Sequence, residues 1–316
     1  MKSPRLLQFA REDRLAIRAE LLAGLTAPKA FISPKYLYDA LGSRLFSAIT
    51  ELPEYYPTRT EAAIFSRNMQ SMAEAFGPVA TLVDLGAGNC EKAARLFAAL
   101  RVHGYVAVDI SVDYLKESLD KLQYQHPAMD MLGIGLDFSS DLRLPAEVGD
   151  GPRTLFYPGS SIGNFAPNKA LKFLQQANEA CQGGALLIGV DLVKPVAVIE
   201  PAYDDPLGVT AAFNRNMLLH LNRLADTNFD ITSWRHVAFF NVAESRIEMH
   251  LEAMREAVVC WPGGERLFAC GERIHTENSY KWDADDFAKL LGQAGFARLQ
   301  RWTDENAWFA VFAAFS

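Results

Sequence analysis

Residues 81–92, TLVDLGAGNCEK, constrain the fold more than any other stretch. The run Leu82, Val83, Asp84, Leu85 meets a glycine pair, Gly86 and Gly88, and an amphipathic run over residues 91–100 follows. This spacing predicts a strand, a tight turn and a helix. Glycine lets the backbone turn sharply and lets a ligand lie against it with no Cβ in the way, while the first amides of the helix face that ligand. A second apolar run, Tyr105 to Val108, ends in Asp109. An acid closing the second strand of such a unit is well placed to hold the two hydroxyls of a ribose.

The turn reads G-x-G without the third glycine of the dinucleotide fingerprint, and no G-K-[ST] of a P-loop follows. Its D-x-G-x-G form resembles the S-adenosylmethionine (SAM) turn of Rossmann-like methyltransferases. A glycine turn of some other α/β domain is the alternative that this stretch alone leaves open. The chain of 316 residues is long enough for one large or two modest domains with a real core. A net charge of −7 argues against a nucleic-acid phosphate backbone as partner. Cys90, Cys181, Cys260 and Cys270 are far apart with no C-x-x-C pair; free thiols in a reducing compartment are expected rather than disulfides or a metal site. The strongest apolar run, residues 185–193, is too short to span a bilayer and carries Asp191. The first residues, MKSPRLLQFAREDR, hold no signal-peptide core. The expectation is a cytoplasmic protein without membrane partners.

Residues 7–27 carry helical periodicity and are read as one helix or two short ones. Residues 31–60 are dense in aromatics, with Phe31, Tyr36, Tyr38, Phe46, Tyr55 and Tyr56 interrupted by prolines. Singly these are core residues. As a group they suit a cleft wall for a cationic ligand or product. A helix is expected over 59–76, another over 112–125, and a strand over 131–138 that ends in Asp137 and Phe138. A strand at 154–157 runs into PGSSIGNFAP, which carries Gly159 and Asn164 and precedes a helix at 168–181. The carboxyl end of a strand in an open α/β sheet is where ligands bind, and Asn164 offers a donor and an acceptor together. A strand at 184–193 follows, then a region read as helical over 196–229 around a polar loop bearing Tyr203. Residues 236–254 read as a hairpin in which Ile247, Met249 and Leu251 share one face and Glu248, His250 and Glu252 the other. Residues 267–282 read as strand, with Glu277, Ser279 and Lys281 on one face; taken singly they are a solvated face. A helix over 284–295 and a closing strand in WFAVFAAF complete the chain. Returning to the sheet after residues 196–281 implies an inserted domain. Residues 60–194 with 282–316 are expected as the ligand-binding α/β domain, and residues 1–59 with 195–281 as a substrate-binding domain.

Several stretches together resemble one family, the SAM-dependent histidine Nα-methyltransferases of ergothioneine biosynthesis. They are FISPKYLYDALGSRLFSAITELPEYYPTRTE, LVDLGAGNCEK, YPGSSIGNF, AYDDPLGVTAAFNRN, RIEMHLEA and IHTENSYKW. The LPEYYPTRTE block and the IGN turn are more diagnostic than the glycine turn. The resemblance implies a Rossmann-like class I methyltransferase with an additional α+β substrate-binding domain, built from the N-terminal segment and an insertion. It implies three methyl transfers from SAM to L-histidine, giving hercynine, with S-adenosylhomocysteine (SAH) as the other product. The expected partner is a small-molecule amino acid, and a monomer is favoured, although the sequence does not fix the oligomeric state.

Roles implied by the resemblance follow motif position. Gly86, Gly88 and Lys92 would contact SAM, Asp109 its ribose, and Asp137 and Phe138 its adenine. Asn164 and Tyr203 would hold the substrate carboxylate, and Gly159 would also be substrate-binding. Tyr38 and Asn164 would face the amine as the catalytic pair. Glu277 and Ser279 would face the imidazole, with Tyr55 nearby, Met249 on the ring and Phe46 beside the growing trimethylammonium. No metal is implied. The turn here is G-A-G-N-C where more serine is expected, and Ser-Ser precedes IGN where Ser-Thr is common. A relative acting on another amino acid, such as dimethylallyltryptophan, and a non-catalytic SAM-binding protein are the alternatives.

Overall fold

The structure is a computed structural model and describes residues 2–9, 13–139 and 141–316. In chain order its main elements begin with β1 (Arg5–Gln8), α1 (Arg14–Thr26), α2 (Ala40–Thr50), α3 (Tyr56–Phe76) and β2 (Thr81–Leu85). Next come α4 (Glu91–Ala94), β3 (Gly104–Asp109), α5 (Val112–Gln125), β4 (Asp130–Gly135) and β5 (Thr154–Tyr157). They are followed by α6 (Pro167–Cys181), β6 (Ala185–Asp191), α7 (Val196–Ile199) and α8 (Val209–Ala225). The strands β7 (Trp234–Asn241), β8 (Arg246–Ala253), β9 (Ala257–Trp261), β10 (Gly264–Phe268) and β11 (Arg273–Tyr280) come next. The chain closes with α9 (Ala284–Gln293), β12 (Arg298–Thr303) and β13 (Phe309–Phe315). It divides into two units, one of Met1–Ala10, Pro57–Val193 and Tyr280–Ser316, the other of Arg11–Tyr56 and Lys194–Ser279.

The first unit is built on an eight-stranded sheet in the order β1-β4-β3-β2-β5-β6-β13-β12. Strands β1 to β6 pair in parallel, and β13 runs antiparallel to both β6 and β12. The order reverses between β2 and β5, and ligands of open α/β sheets bind outside the carboxyl ends of the strands at such a point. Both faces of the sheet are covered. Val83 and Leu85 pack with Phe173, Leu174, Phe287 and Leu291 on one side. Leu82 packs with Ile64, Met72, Leu115 and Leu119 on the other. Burial on both faces is why the parallel strands read as continuous apolar runs rather than as alternation. The fold is a Rossmann-like, doubly wound α/β sheet with an antiparallel edge.

The second unit contains a three-stranded sheet, β11-β8-β7, and the separate β9–β10 hairpin. Strands β7 and β8 are antiparallel, Trp234 opposite Ala253 through Asn241 opposite Arg246. Helices α1, α2 and α8 belong to the same unit. Asp39 caps α2, its Oδ1 accepting from the Gly42 amide at 2.7 Å and from Asn216 Nδ2 of α8 at 2.7 Å.

Several expected elements differ. Leu7 and Gln8 lie in β1, paired to Ile134 and Gly135, not in a helix. Residues 10–12 of that expected helix fall outside the described residues. The helix expected over 91–100 keeps α-form only to Ala94; its continuation is tightened by i→i+3 bonds from Leu96 to Ala93 and from Phe97 to Ala94. The helical reading of 196–229 breaks into α7, a 3₁₀ turn at Glu200–Ala202 and α8, because Pro206 and the left-handed Gly208 interrupt it. The strand reading of 267–282 divides at Gly271, φ +83°, into the end of β10 and β11. Among the described residues, no helix is long and apolar enough to cross a membrane.

Candidate functional site

In the first unit the loops after β2, β3 and β4 gather the residues expected at a cofactor. Gly86 and Gly88 both have positive φ, +73° and +53°, so the turn needs residues without a Cβ penalty. The amides of Gly86 and Ala87 donate to the Val108 carbonyl at 2.8 and 3.1 Å, which ties the turn to the end of β3. Asp109 follows at once. Its Oδ2 accepts from the Gly88 amide at 2.9 Å and its Oδ1 from the Ser111 amide at 2.9 Å. Burial raises the Asp109 carboxyl, and these amides partly oppose the shift. Phe138 approaches from the loop after β4, its Cζ 3.7 Å from where a Gly86 Cβ would lie. The neighbouring Asp137 accepts from the Ser139 amide at 3.1 Å. Any larger residue at 86 would fill the space in front of the ring. The cradle suits a flat heterocycle and a diol, so these residues fit an adenosine group.

Lys92, on α4, directs its Nζ to Glu61 Oε2 at 2.8 Å. The other Glu61 oxygen accepts from the Gly159 amide at 2.7 Å. Gly159 has φ +75°, and a Cβ there would lie 3.0 Å from Lys92 Nζ. The turn after β5 is therefore drawn against Lys92. Ser160 pins the same turn to β6, its Oγ accepting from the Asp191 amide at 2.8 Å. Asn164 ends the 3₁₀ turn Ser161–Asn164 that follows. Beneath the glycine turn, Asp84 accepts from the Tyr105 hydroxyl at 2.8 Å. Burial pushes the Asp84 carboxyl up to about 7, against the lowering effect of that hydroxyl.

In the second unit the expected aromatics form a connected set. Tyr38 meets Phe46 edge-on at 5.6 Å between centroids, Phe46 meets Tyr55 at 6.1 Å, and Tyr55 meets Tyr203 at 6.4 Å. Phe213 of α8 joins them, 5.5 Å from Tyr38 and 6.0 Å from Phe46. The sequence reading missed Phe213, because its neighbours become visible only once α2 and α8 pack. Tyr203 and Ser279 share a hydrogen bond of 2.7 Å between hydroxyls. Glu277 and Ser279 are buried, at 8% and 5% exposure. That corrects the expectation of a solvated face. Lys281 departs from it too: it is buried in the first unit, 2.8 Å from Asp191. Met249 is buried in β8, its carbonyl accepting from Thr276 Oγ1 at 3.0 Å.

His236 was also missed. Its Nδ1 lies 2.9 Å from Asn214 Nδ2 and its Nε2 2.8 Å from the Tyr203 carbonyl. The amide donor on Nδ1 requires the Nε2–H tautomer, which donates to Tyr203. Among the described residues, Glu248, His250 and His275 bring ligand-type atoms within 4.8 Å of one another. Glu248 already accepts from Arg246 and Asn241, with His250 Nε2 at 3.1 Å. Burial would raise this carboxyl, but those bonds bring it down to about 2. A guanidinium on the carboxylate opposes a cation, so the group reads as a hydrogen-bonded charge network.

A family model described as "Histidine-specific methyltransferase, SAM-dependent" matches residues 17–315. The histidine N-alpha-methyltransferase of Mycolicibacterium smegmatis is 38% identical over 306 residues, covering 95% of this chain and 94% of that one. Ergothioneine biosynthesis protein 1 of Neurospora crassa is 31% identical over 280 residues, 85% of this chain and 31% of that much longer one. A 4-dimethylallyltryptophan N-methyltransferase of Claviceps purpurea is 26% identical over 322 residues, 93% of each. With this coverage on a class I methyltransferase sheet, the chain belongs to the histidine-specific, SAM-dependent methyltransferase family and is an enzyme that uses SAM as its methyl donor.

Proposed function

We propose that the enzyme transfers three methyl groups from SAM to the α-amine of L-histidine, giving N,N,N-trimethylhistidine (hercynine), the first step of ergothioneine biosynthesis. The observation that carries the choice of histidine is the buried polar pair on β11. Glu277 and Ser279 lie two residues apart on one strand, and Ser279 is bonded to Tyr203. A carboxylate accepts an imidazole N–H, and a hydroxyl serves the second ring nitrogen. The same pair is a poor match for a prenylated indole.

SAM, when bound against Gly86, Lys92, Asp109 and Phe138, supplies an electrophilic methyl on a sulfonium. The α-nitrogen must attack as the free base; α-amino groups titrate near about 8, so a modest shift suffices. Tyr38 offers a hydroxyl and Asn164 an amide, groups suited to a neutral amine. Neither needs to pair with an ammonium. With SAM held there, its methyl would pass from sulfur to the α-nitrogen, leaving SAH, and the nitrogen would give up a proton before each further transfer. Orientation and exclusion of water are the main contributions. Positive charge passes from sulfur to nitrogen, so the aromatic set of Tyr38, Phe46 and Phe213 serves all three steps. The test is methyl transfer from labelled SAM to histidine and to tryptophan side by side. Expected is turnover on histidine alone; turnover on tryptophan alone would reassign the substrate, and SAM binding without turnover would make the chain a binding protein.

A further inference from the structure

Glu61 is charged, 1% exposed, and sits on α3, an element with no part in the cofactor turn. Its Oε2 is 2.8 Å from Lys92 Nζ, and its Oε1 accepts the Gly159 amide at 2.7 Å. The slot around it is built to the size of a carboxylate. A Cβ on Gly189 of β6 would lie 2.0 Å from Oε1, and a Cβ on Gly159 would lie 3.0 Å from the lysine head. Both glycines therefore leave room for this one contact. As a device for stability a buried ion pair is weak, since desolvation offsets most of the Coulomb gain. The partner is not equally buried: the Lys92 side chain is 35% exposed. An ammonium has three donors, and the bond to Glu61 takes one of them.

We infer that Glu61 is a positioning residue, which with one carboxylate fixes both the Lys92 ammonium and the first amide of the turn that carries Asn164. The inference rests on the reading of Lys92 as a cofactor contact. Glu61 touches neither SAM nor substrate in this role. It aims the ammonium at the carboxylate of the cofactor's amino-acid portion and holds the Gly159 turn at a fixed distance from it.

The test is SAH binding by calorimetry to Glu61→Gln, Lys92→Met and the double variant, with thermal unfolding alongside. Glutamine keeps the shape and can still accept from Gly159, but its amide donors face the ammonium. Expected is a Kd for SAH raised about tenfold in Glu61→Gln, the size of one charged hydrogen bond. Adding Glu61→Gln to Lys92→Met should change Kd less than about twofold, because interacting residues are non-additive. A merely structural role would lower the unfolding temperature and leave the Kd of the folded protein alone. Glu61→Asp, which keeps the charge but cannot span both partners, gives the same reading if the glutamine variant fails to fold; its Kd should rise about threefold or more. If Lys92→Met weakens SAH and the Glu61 variants do not, the inference is overturned and the lysine contact stands. If Lys92→Met binds SAH normally, the lysine reading falls and the inference with it.

Discussion

The hydroxyls of Tyr203 and Ser279 lie 2.7 Å apart, although 76 residues separate them in the chain. Tyr203 is fixed independently through its carbonyl, which accepts from His236. Removing either hydroxyl leaves the other buried with one partner fewer, a loss of about 1–3 kcal/mol. Tyr203→Phe and Ser279→Ala should each raise the KM for histidine about tenfold or more, with SAH affinity unchanged. Steady-state kinetics with calorimetry for SAH checks the split, and a Ser279→Ala enzyme with normal KM would remove Ser279 from the substrate.

Glu277→Ala tests the acid of the same strand. Its proposed contact is with the imidazole, distant from the nitrogen that reacts. The rise in KM should therefore exceed the fall in kcat, since uniform binding is lost rather than transition-state stabilisation. An unchanged KM would exclude Glu277 from ring recognition.

Asp109→Ala should weaken SAM binding by about 1–3 kcal/mol, from lost charged hydrogen bonds to a ribose. The same change frees the Gly88 and Ser111 amides that Asp109 now accepts from, so the turn loosens as well. Calorimetry with SAM and with adenosine separates the effects, because a ribose contact weakens both ligands. Intact affinity for both would take Asp109 out of the site.

Asp84→Asn reads the buried carboxyl beneath the turn. Burial raises its pKa from 3.8 to about 7 in the folded protein. An acid raised on folding holds a proton that the unfolded chain has lost, so its stabilising contribution is present below 3.8 and is lost as pH rises through about 7. Asparagine can still accept from Tyr105 and never ionises. The unfolding temperature of Asp84→Asn minus that of the wild type should therefore increase between about pH 4 and pH 8, a stability change of roughly 4 kcal/mol at most over that whole interval. A difference that is flat with pH would show that Asp84 does not titrate in this range.

The glycine turn, Asp109 and the parallel strands were legible because a strand buried on both faces writes itself as an unbroken apolar run and the turn needs glycine at fixed spacing. The edge strand Arg5–Gln8 was not, since four residues that are nearly all exposed carry no period. Alternation along β11 put Glu277 and Ser279 on one face, but alternation cannot say whether that face is covered. Glu61 falls in the first turn of the helix expected over 59–76. Its partners lie 31 and 98 residues away, and no local pattern encodes them. Phe213 was hidden for the same reason, whereas the aromatic density of residues 31–60 was visible at once.

The most direct measurement is the mass and proton NMR spectrum of histidine taken to exhaustion with excess SAM. Expected is a single product carrying three methyls, all on the α-nitrogen, with three SAH released per histidine and both ring nitrogens unmodified. A product that stops at one or two methyls, or a methyl on the imidazole, would contradict a pocket in which Glu277 and Ser279 hold the ring and the aromatic set receives the amine.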